Sequence, residues 1–429
     1  MILSNQSFNW LDLIPNQWEI DKVKDHFYFS NIQTENFDNY PVLSLTMSGV
    51  KKRNMDTNEG QLPESYEKYN LVDPSCLVFN PMDLISGWVD VPKTEGLISP
   101  SYRTIKLRSD KTNLHFIKYY FQSLYKEKVL FYFGEGVHYD YRWGLGKETL
   151  KNFPIPIPPT EEQNQIVDFL DKKINQINEL IKKIEQKITL LKEQRTSLMN
   201  EVVTKGLNPN IEMKNTDIDW IGEIPRHWEL LRLNNLGRFS KGKGITKDKI
   251  KENGNKCIRC GEIYTTYQLR FNETKSFIDD ETTDESILCS KGVLLFTGDG
   301  ESLEEIGKCV VYEGDEQLYV GGGINVFTPK QEKVIPTYLS YVMNSDSVIY
   351  QKSRQGRGEI VVHIYSKQLK EIRLGLPPIK EQQQIVEYLD EQTQKIDEII
   401  FTEEKRTELL KEYKQSLISE VVTGKKRVV

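Results

Sequence analysis

At 429 residues the chain has room for two to four domains, each large enough to bury its own core. Its 38% apolar and 28% charged content is that of a water-soluble globular protein, and no apolar run approaches the ~18–20 residues of a membrane span. A net charge of −6 argues against a uniformly basic nucleic-acid binder but leaves local basic patches open.

The opening residues, Met1 to Gln6, carry no basic region and no apolar signal core, which points to the cytoplasm. Residues 1–157 read as a first mixed α/β domain. They begin with Trp10-x-x-x-Ile14-Pro15-x-x-Trp18-Glu19-Ile20 and include a β-rich run at 76–79 and a helical stretch at 114–124. Two polar segments are candidate contact elements. One is Lys51-Lys52-Arg53-Asn54; the other runs from Gly136 to Arg142 and contains His138.

Residues 158–206 read as one long helix. Pro158-Pro159 precede it, Thr160 with Gln163 suggests a capping box, and Gly206 followed by Pro209 ends it. Leu170, Ile174, Ile177, Ile181, Ile184, Ile188, Leu191, Leu198 and Val202 alternate in steps of 4 and 3, with Arg195 in the one polar slot. That is an a/d heptad seam of about four to five heptads, and it predicts a coiled coil.

Residues 207–376 read as a second mixed α/β domain, opening on Trp220-x-x-x-Ile224-Pro225-x-x-Trp228-Glu229-Leu230. Apolar runs at 292–296 and 307–312 predict strands, and 337–345 predicts a helix. Its polar, Gly-rich segments are Ser240 to Lys247, with Lys241, Lys243 and Lys247, and Ser353 to Gly358, with Arg354, Gln355 and Arg357. Glycine lets a backbone approach a phosphate that lysine neutralises, and arginine and glutamine read guanine and adenine. Any one of these segments alone reads equally well as a solvated loop.

Residues 377–425 form a second long helix, seamed by Leu389, Ile396, Ile400, Leu410, Leu417 and Val421, with Thr393, Glu403, Thr407 and Lys414 on the same stripe. Aligned without a gap on the first, from Pro158 and Pro377, it is identical at about 23 of 47 positions. The chain is thus one unit repeated: domain, helix, domain, helix. The weaker second seam predicts that the two helices pair, antiparallel to suit an internal twofold, in an α+β molecule. Packing of each helix on its own domain is the competing expectation.

No catalytic or metal centre is legible. A phosphate-binding Gly-x-x-x-x-Gly-Lys-Ser/Thr loop and an Asn/Asp-Pro-Pro-Tyr/Phe methyltransferase motif are both missing. The five histidines lack ligand spacing, and Asp299 and Glu301 beside glycines read as a turn. Cys257-x-x-Cys260 has metal-like spacing without a second pair, so reduced structural thiols are the simpler reading.

The twofold Pro-Pro-x-x-Glu-Gln-x-x-Ile opening of a long helix (158–166 and 377–385) and the Trp-Ile-Gly-Glu-Ile-Pro-x-x-Trp link at 220–228 resemble the specificity subunit of type I restriction-modification systems. The segment from Gly96 to Tyr102, following Phe79-Asn80-Pro81-Met82, resembles that family's target-recognition domain and adds Tyr102 to the candidate DNA contacts. The resemblance implies that each domain reads half of a bipartite site in double-stranded DNA, and that the helices space the halves. It implies two modification subunits as partners, with restriction and translocase subunits beside them. S-adenosylmethionine, ATP and Mg2+ would sit on those partners and no cofactor on this chain. A coiled-coil interaction scaffold and a free-standing DNA-binding regulator are the alternatives.

Overall fold

The structure is a computed structural model describing residues 11, 14–54, 65–108, 110–136, 143–358 and 361–428. It divides into two compact units, residues 1–185 with 404–429, and residues 186–403. The boundary between the units falls within each long helix.

In the first unit a four-stranded antiparallel sheet runs in the order Phe27–Phe29, Arg103–Leu107, Cys76–Phe79, Val89–Asp90. The apolar run at 76–79 is a strand buried on both faces. Leu77 and Phe79 enter the main core, while Cys76 and Val78 enter a smaller one with Leu43, Leu45, Val50, Val72 and Ile98. Alternation with period two sends one tetrapeptide into two cores. Helix Leu114–Lys126 covers the main face. Asn113 caps it by accepting from the amides of His115 and Phe116 (2.8 and 3.3 Å), and Phe121 meets Phe79 edge-on at 4.8 Å.

The second unit repeats the frame. Gly237–Lys241, Ile324–Pro329, Leu294–Thr297 and Cys309–Tyr312 follow the same order, and Arg270–Phe271 adds a parallel edge. Alternation again divides the strands: Leu294, Phe296, Cys309 and Val311 face one core, Leu295, Val310 and Tyr312 another. A further sheet, Ser276–Ile278, Asn255–Ile258, Leu318–Val320, Ile287–Cys289, has no four-stranded counterpart among the described residues of the first unit. Where the chain enters and leaves each domain, two strands pair: Glu19–Lys22 with Pro154–Ile157, and Glu229–Arg232 with Arg373–Leu376.

The long helices are Thr160–Lys205 (46 residues) and Ile379–Val422 (44 residues). They pair antiparallel as a coiled coil. In the second unit Lys187 Nζ meets Glu403 Oε1 at 2.7 Å and Arg195 Nε meets Asp397 Oδ1 at 3.0 Å, so one helix ascends as the other descends. In the first unit Lys414 Nζ donates to Asn178 Oδ1 at 3.0 Å. Of the expected seam, Leu170, Ile177, Ile181, Ile184, Leu389, Ile396, Ile400, Leu417 and Val421 are buried, and Ile174, Ile188, Leu191, Leu198 and Leu410 are half-buried. The polar seam residues Thr393, Glu403 and Thr407 are buried too; Thr393 satisfies its hydroxyl on the carbonyl of Leu389 at 2.7 Å.

Packing on a domain is not an alternative to pairing, because the helices do both. The main core of the first unit contains Ile166, Val167 and Leu170 from the start of the first helix. It also contains Leu417, Ile418, Val421 and Val422 from the end of the second. The second unit likewise holds Ile385, Val386 and Leu389 with Met199, Val202 and Val203.

The repeated motifs build these junctions. Gln163 and Gln382 are fully buried. Gln163 donates to the carbonyls of Pro158 (2.7 Å) and Lys111 (3.1 Å) and accepts from the Asn113 amide (2.7 Å). Gln382 does the same with Pro377 (2.9 Å), Lys333 (3.1 Å) and Ile335 (2.9 Å). This corrects the expected capping box: the glutamine ties the helix to the domain rather than to its own first turn. The buried Trp18 and Trp228 donate to Glu162 (3.2 Å) and Glu381 (3.1 Å). Each indole also receives the end of the other helix. Gly206 and Gly424 stop the helices at φ +77° and +72°, conformations that disfavour any side chain, and both lie against these tryptophans. About three turns into each helix, Asp171 and Asp390 are held by Tyr119 and Tyr341, the latter at 2.6 Å, and Arg270 adds a bidentate pair to Asp390.

Candidate nucleic-acid interface

In the first unit Lys51 and Lys52 are exposed on the second strand of a hairpin, Leu43–Thr46 with Gly49–Lys52. They were expected on a loop. The strand forms because Leu43, Leu45 and Val50 enter the small core while Asp90 accepts the Val50 amide at 2.9 Å. Arg53 follows, its amide bonded to the carbonyl of Val42 at 2.8 Å, and its charge is felt by Tyr69 and Tyr102. Tyr102 packs on the small core, where burial pushes its phenol pKa upward. It is half-buried, so its ring supports this corner of the domain. Tyr66 and Tyr69 stack edge to face there at 5.0 Å. His138 and Arg142 lie outside the described residues.

In the second unit the candidate segments also begin in regular structure. Lys241 ends strand Gly237–Lys241, and Arg354 and Gln355 form the last turn of helix Asp346–Gln355. The reading of 353–358 as a loop is therefore corrected at 353–355 and stands for 356–358: apolar Val348 and the buried stem of Lys352 hold the helix against the core as far as Gln355. Arg354 lies over the Tyr350 ring at 5.7 Å and donates to its hydroxyl at 3.1 Å. Tyr350 is itself 5.9 Å from Trp220. Gln355 is half-buried, whereas Lys241, Lys243, Lys247 and Arg357 are exposed.

Main-chain contacts draw the two segments towards one another. The Gly242 amide donates to Ile324 at 2.9 Å and that of Lys243 to Val320 at 3.1 Å, so Gly242 lies against the backbone of Gly321. The Gly298 amide donates to Gly323 at 2.6 Å. Asp299–Gly300 then pairs with Val362–His363, and His363 pairs with Arg357. Asp299 was expected in a turn. It is in a two-residue strand, and its Oδ1 lies 2.7 Å from His363 Nδ1. Sequence reasoning missed this pair, because 64 residues separate the partners and neither stands in a motif.

Among the described residues no group of three or more His, Cys, Asp or Glu could hold a metal ion. Cys257 is buried in a strand, its thiol pKa pushed up to about 12 by burial, and Cys260 opens the next helix with its pKa raised for the same reason. Among the same residues no helix is long and apolar enough to cross a membrane.

Two domains of one frame, each presenting a different polar edge and joined by paired helices, define a repeated recognition module. The family model described as the type I restriction modification DNA specificity domain matches residues 92–190 and 225–411, and the chain belongs to that family. The MjaVIII specificity subunit of Methanocaldococcus jannaschii is 27% identical over 287 residues, 66% of this chain and 64% of that protein. The EcoBI specificity subunit of Escherichia coli is 23% identical over 424 residues, 91% and 82% of the two chains. The match thus spans just under two thirds of the M. jannaschii relative. Among solved structures, one describing assembly and conformational transition of the type I R-M system superposes with a TM-score of 0.70 at 14% identity. It covers 95% of this chain and 98% of the other. The HsdS subunit from Thermoanaerobacter tengcongensis gives 0.53 at 14% identity, covering 96% and 98%.

Proposed function

We propose that this chain is the sequence-reading, non-catalytic subunit of a cytoplasmic type I restriction-modification complex, each domain reading one half of a bipartite site in double-stranded DNA. The observation that carries the reading is the repetition of one sheet frame and one helix junction beneath two unlike polar edges. Selection for two different half-sites through one scaffold produces that combination. Exposed lysines and arginines on these edges suit phosphate contact, which positions a protein on DNA, and the more fixed polar groups suit base reading. The continuous helices suit a spacer of set length between the half-sites.

In this reading the helices also carry the partners. Leu190 and Phe401 are 64% and 67% exposed in the second unit, and Leu409 and Tyr413 56% and 51% in the first. Apolar side chains that neither seam nor core covers suit docking of two modification subunits, with restriction and translocase subunits joining them. Those partners would bring S-adenosylmethionine, ATP and Mg2+, and adenine N6-methylation would be their chemistry. The test is a genome-wide map of N6-methyladenine in the host with and without this gene. A two-part motif that disappears on deletion is the expected result. An unchanged map, in a host where the partner genes are expressed, refutes the reading.

A further inference from the structure

Resting on that reading, we propose that His363 is a base-reading residue of the second domain and that Asp299 is its positioning residue. The repeated frame directs attention to this place. The Ile364 amide donates to the Gly298 carbonyl at 2.9 Å, just as the Leu145 amide donates to the Pro81 carbonyl at 2.7 Å in the first domain. Counting one residue from that shared bond, His363 and Asp299 correspond to Gly144 and Met82. That backbone bond is kept and the side-chain chemistry beside it is replaced, as expected at a position that distinguishes one half-site from the other.

The pair is also built for reading rather than for stability. A carboxylate only accepts, so Asp299 accepts the hydrogen bond of the Nδ1–H at 2.7 Å and fixes the ring's orientation. The imidazole stacks on Tyr365 (6.2 Å, 13° between planes), and its main chain exchanges two hydrogen bonds with Arg357, at 3.0 and 2.7 Å. Nε2 makes no hydrogen bond among the described residues, and the His363 and Asp299 side chains are 40% and 47% exposed. A pair so exposed contributes little to folding. What it supplies is a held Nε2, suited to a hydrogen bond with a base edge in the major groove. Basic residues lie on the neighbouring backbone: Arg357 pairs with His363, Lys241 and Lys243 border Gly242, which lies against Gly321, and Gly323 lies against the Asp299 carboxylate. Flexible cations around a fixed polar group divide the work into phosphate positioning and base reading.

The test maps methylated motifs made by the complete complex carrying His363→Ala, His363→Gln or Asp299→Asn. It adds binding of each purified complex to duplexes permuted at every base of both half-sites. Thermal unfolding of each chain is expected to match the parent. The proposal expects discrimination at one base pair of one half-site to fall roughly 2- to 10-fold in His363→Ala, the other half-site being untouched. Asp299→Asn should weaken or alter discrimination at that same base pair. An unchanged motif in both overturns the proposal while leaving the function intact, as does a uniform loss of affinity without relaxed specificity, the mark of a phosphate contact. If the parent complex itself yields no bipartite motif, the functional reading fails first and takes this assignment with it.

Discussion

Gln163 and Gln382 each close three hydrogen bonds in a fully buried position, so their identity is fixed by geometry. Gln163→Leu strands one amide and two carbonyls and is expected to cost about 2–3 kcal/mol. Gln163→Glu should be at least as harmful, because a carboxylate cannot donate to the carbonyls of Pro158 and Lys111. Hydrogen exchange of the Asn113 and Phe116 amides reports both. Lys352 offers a test of a different kind. Its ammonium is buried and donates to the carbonyls of Gly307 (2.8 Å) and Met343 (2.9 Å), and burial lowers its pKa to about 8. The unfolded chain holds that proton up to about pH 10.4. Between those values the unfolded state binds more protons, so stability gains with rising pH. Relative to Lys352→Met, the parent should gain roughly 1 kcal/mol per pH unit between about pH 8 and 10, by chemical denaturation at each pH. A flat difference would show that the lysine is solvated.

The helices were legible because their information is local and repeated. A heptad stripe needs only its own spacing to be seen, and the Glu-Gln pair and Trp-x-x-x-Ile-Pro motif occur twice in the sequence. The sheets were legible only at 76–79, 292–296 and 307–312, where burial on both faces leaves an unbroken apolar run. That the two domains share a strand order was not visible, because strands of two to six residues are defined by partners far along the chain. The candidate edges suffered in the same way. Lys51 and Lys241 looked like loop residues and are strand residues, and Asp299–His363 exists only through tertiary pairing. The polar part of the seam can be tested directly. Glu403 is buried, whereas the Lys187 side chain is 53% exposed. Lys187→Met alone should therefore cost about 1–2 kcal/mol by leaving a buried carboxylate without this cation. Adding Glu403→Leu should restore or exceed parental stability, giving a double-mutant cycle with a clear sign.

For the molecule as a whole, the proposed spacer role predicts a gap that follows helix length. Removing seven residues from each helix at facing positions, 185–191 and 400–406, keeps the heptad phase and shortens the pair by about 10 Å. The methylated motif should then lose about three base pairs from its gap while both half-sites stay the same. An unaltered gap would show that something other than the helices sets it. The grip of each domain on both helices also has a consequence for the order of events during synthesis. The second unit is contiguous, residues 186–403, and all its parts leave the ribosome in one stretch. The first unit needs Leu417, Ile418, Val421 and Val422 to complete its core, and 218 residues are made between its two pieces. At 5–20 residues per second the amino-terminal domain waits on the order of 10–40 s with part of its core open. The part of the protein translated first is thus the part whose core is completed last.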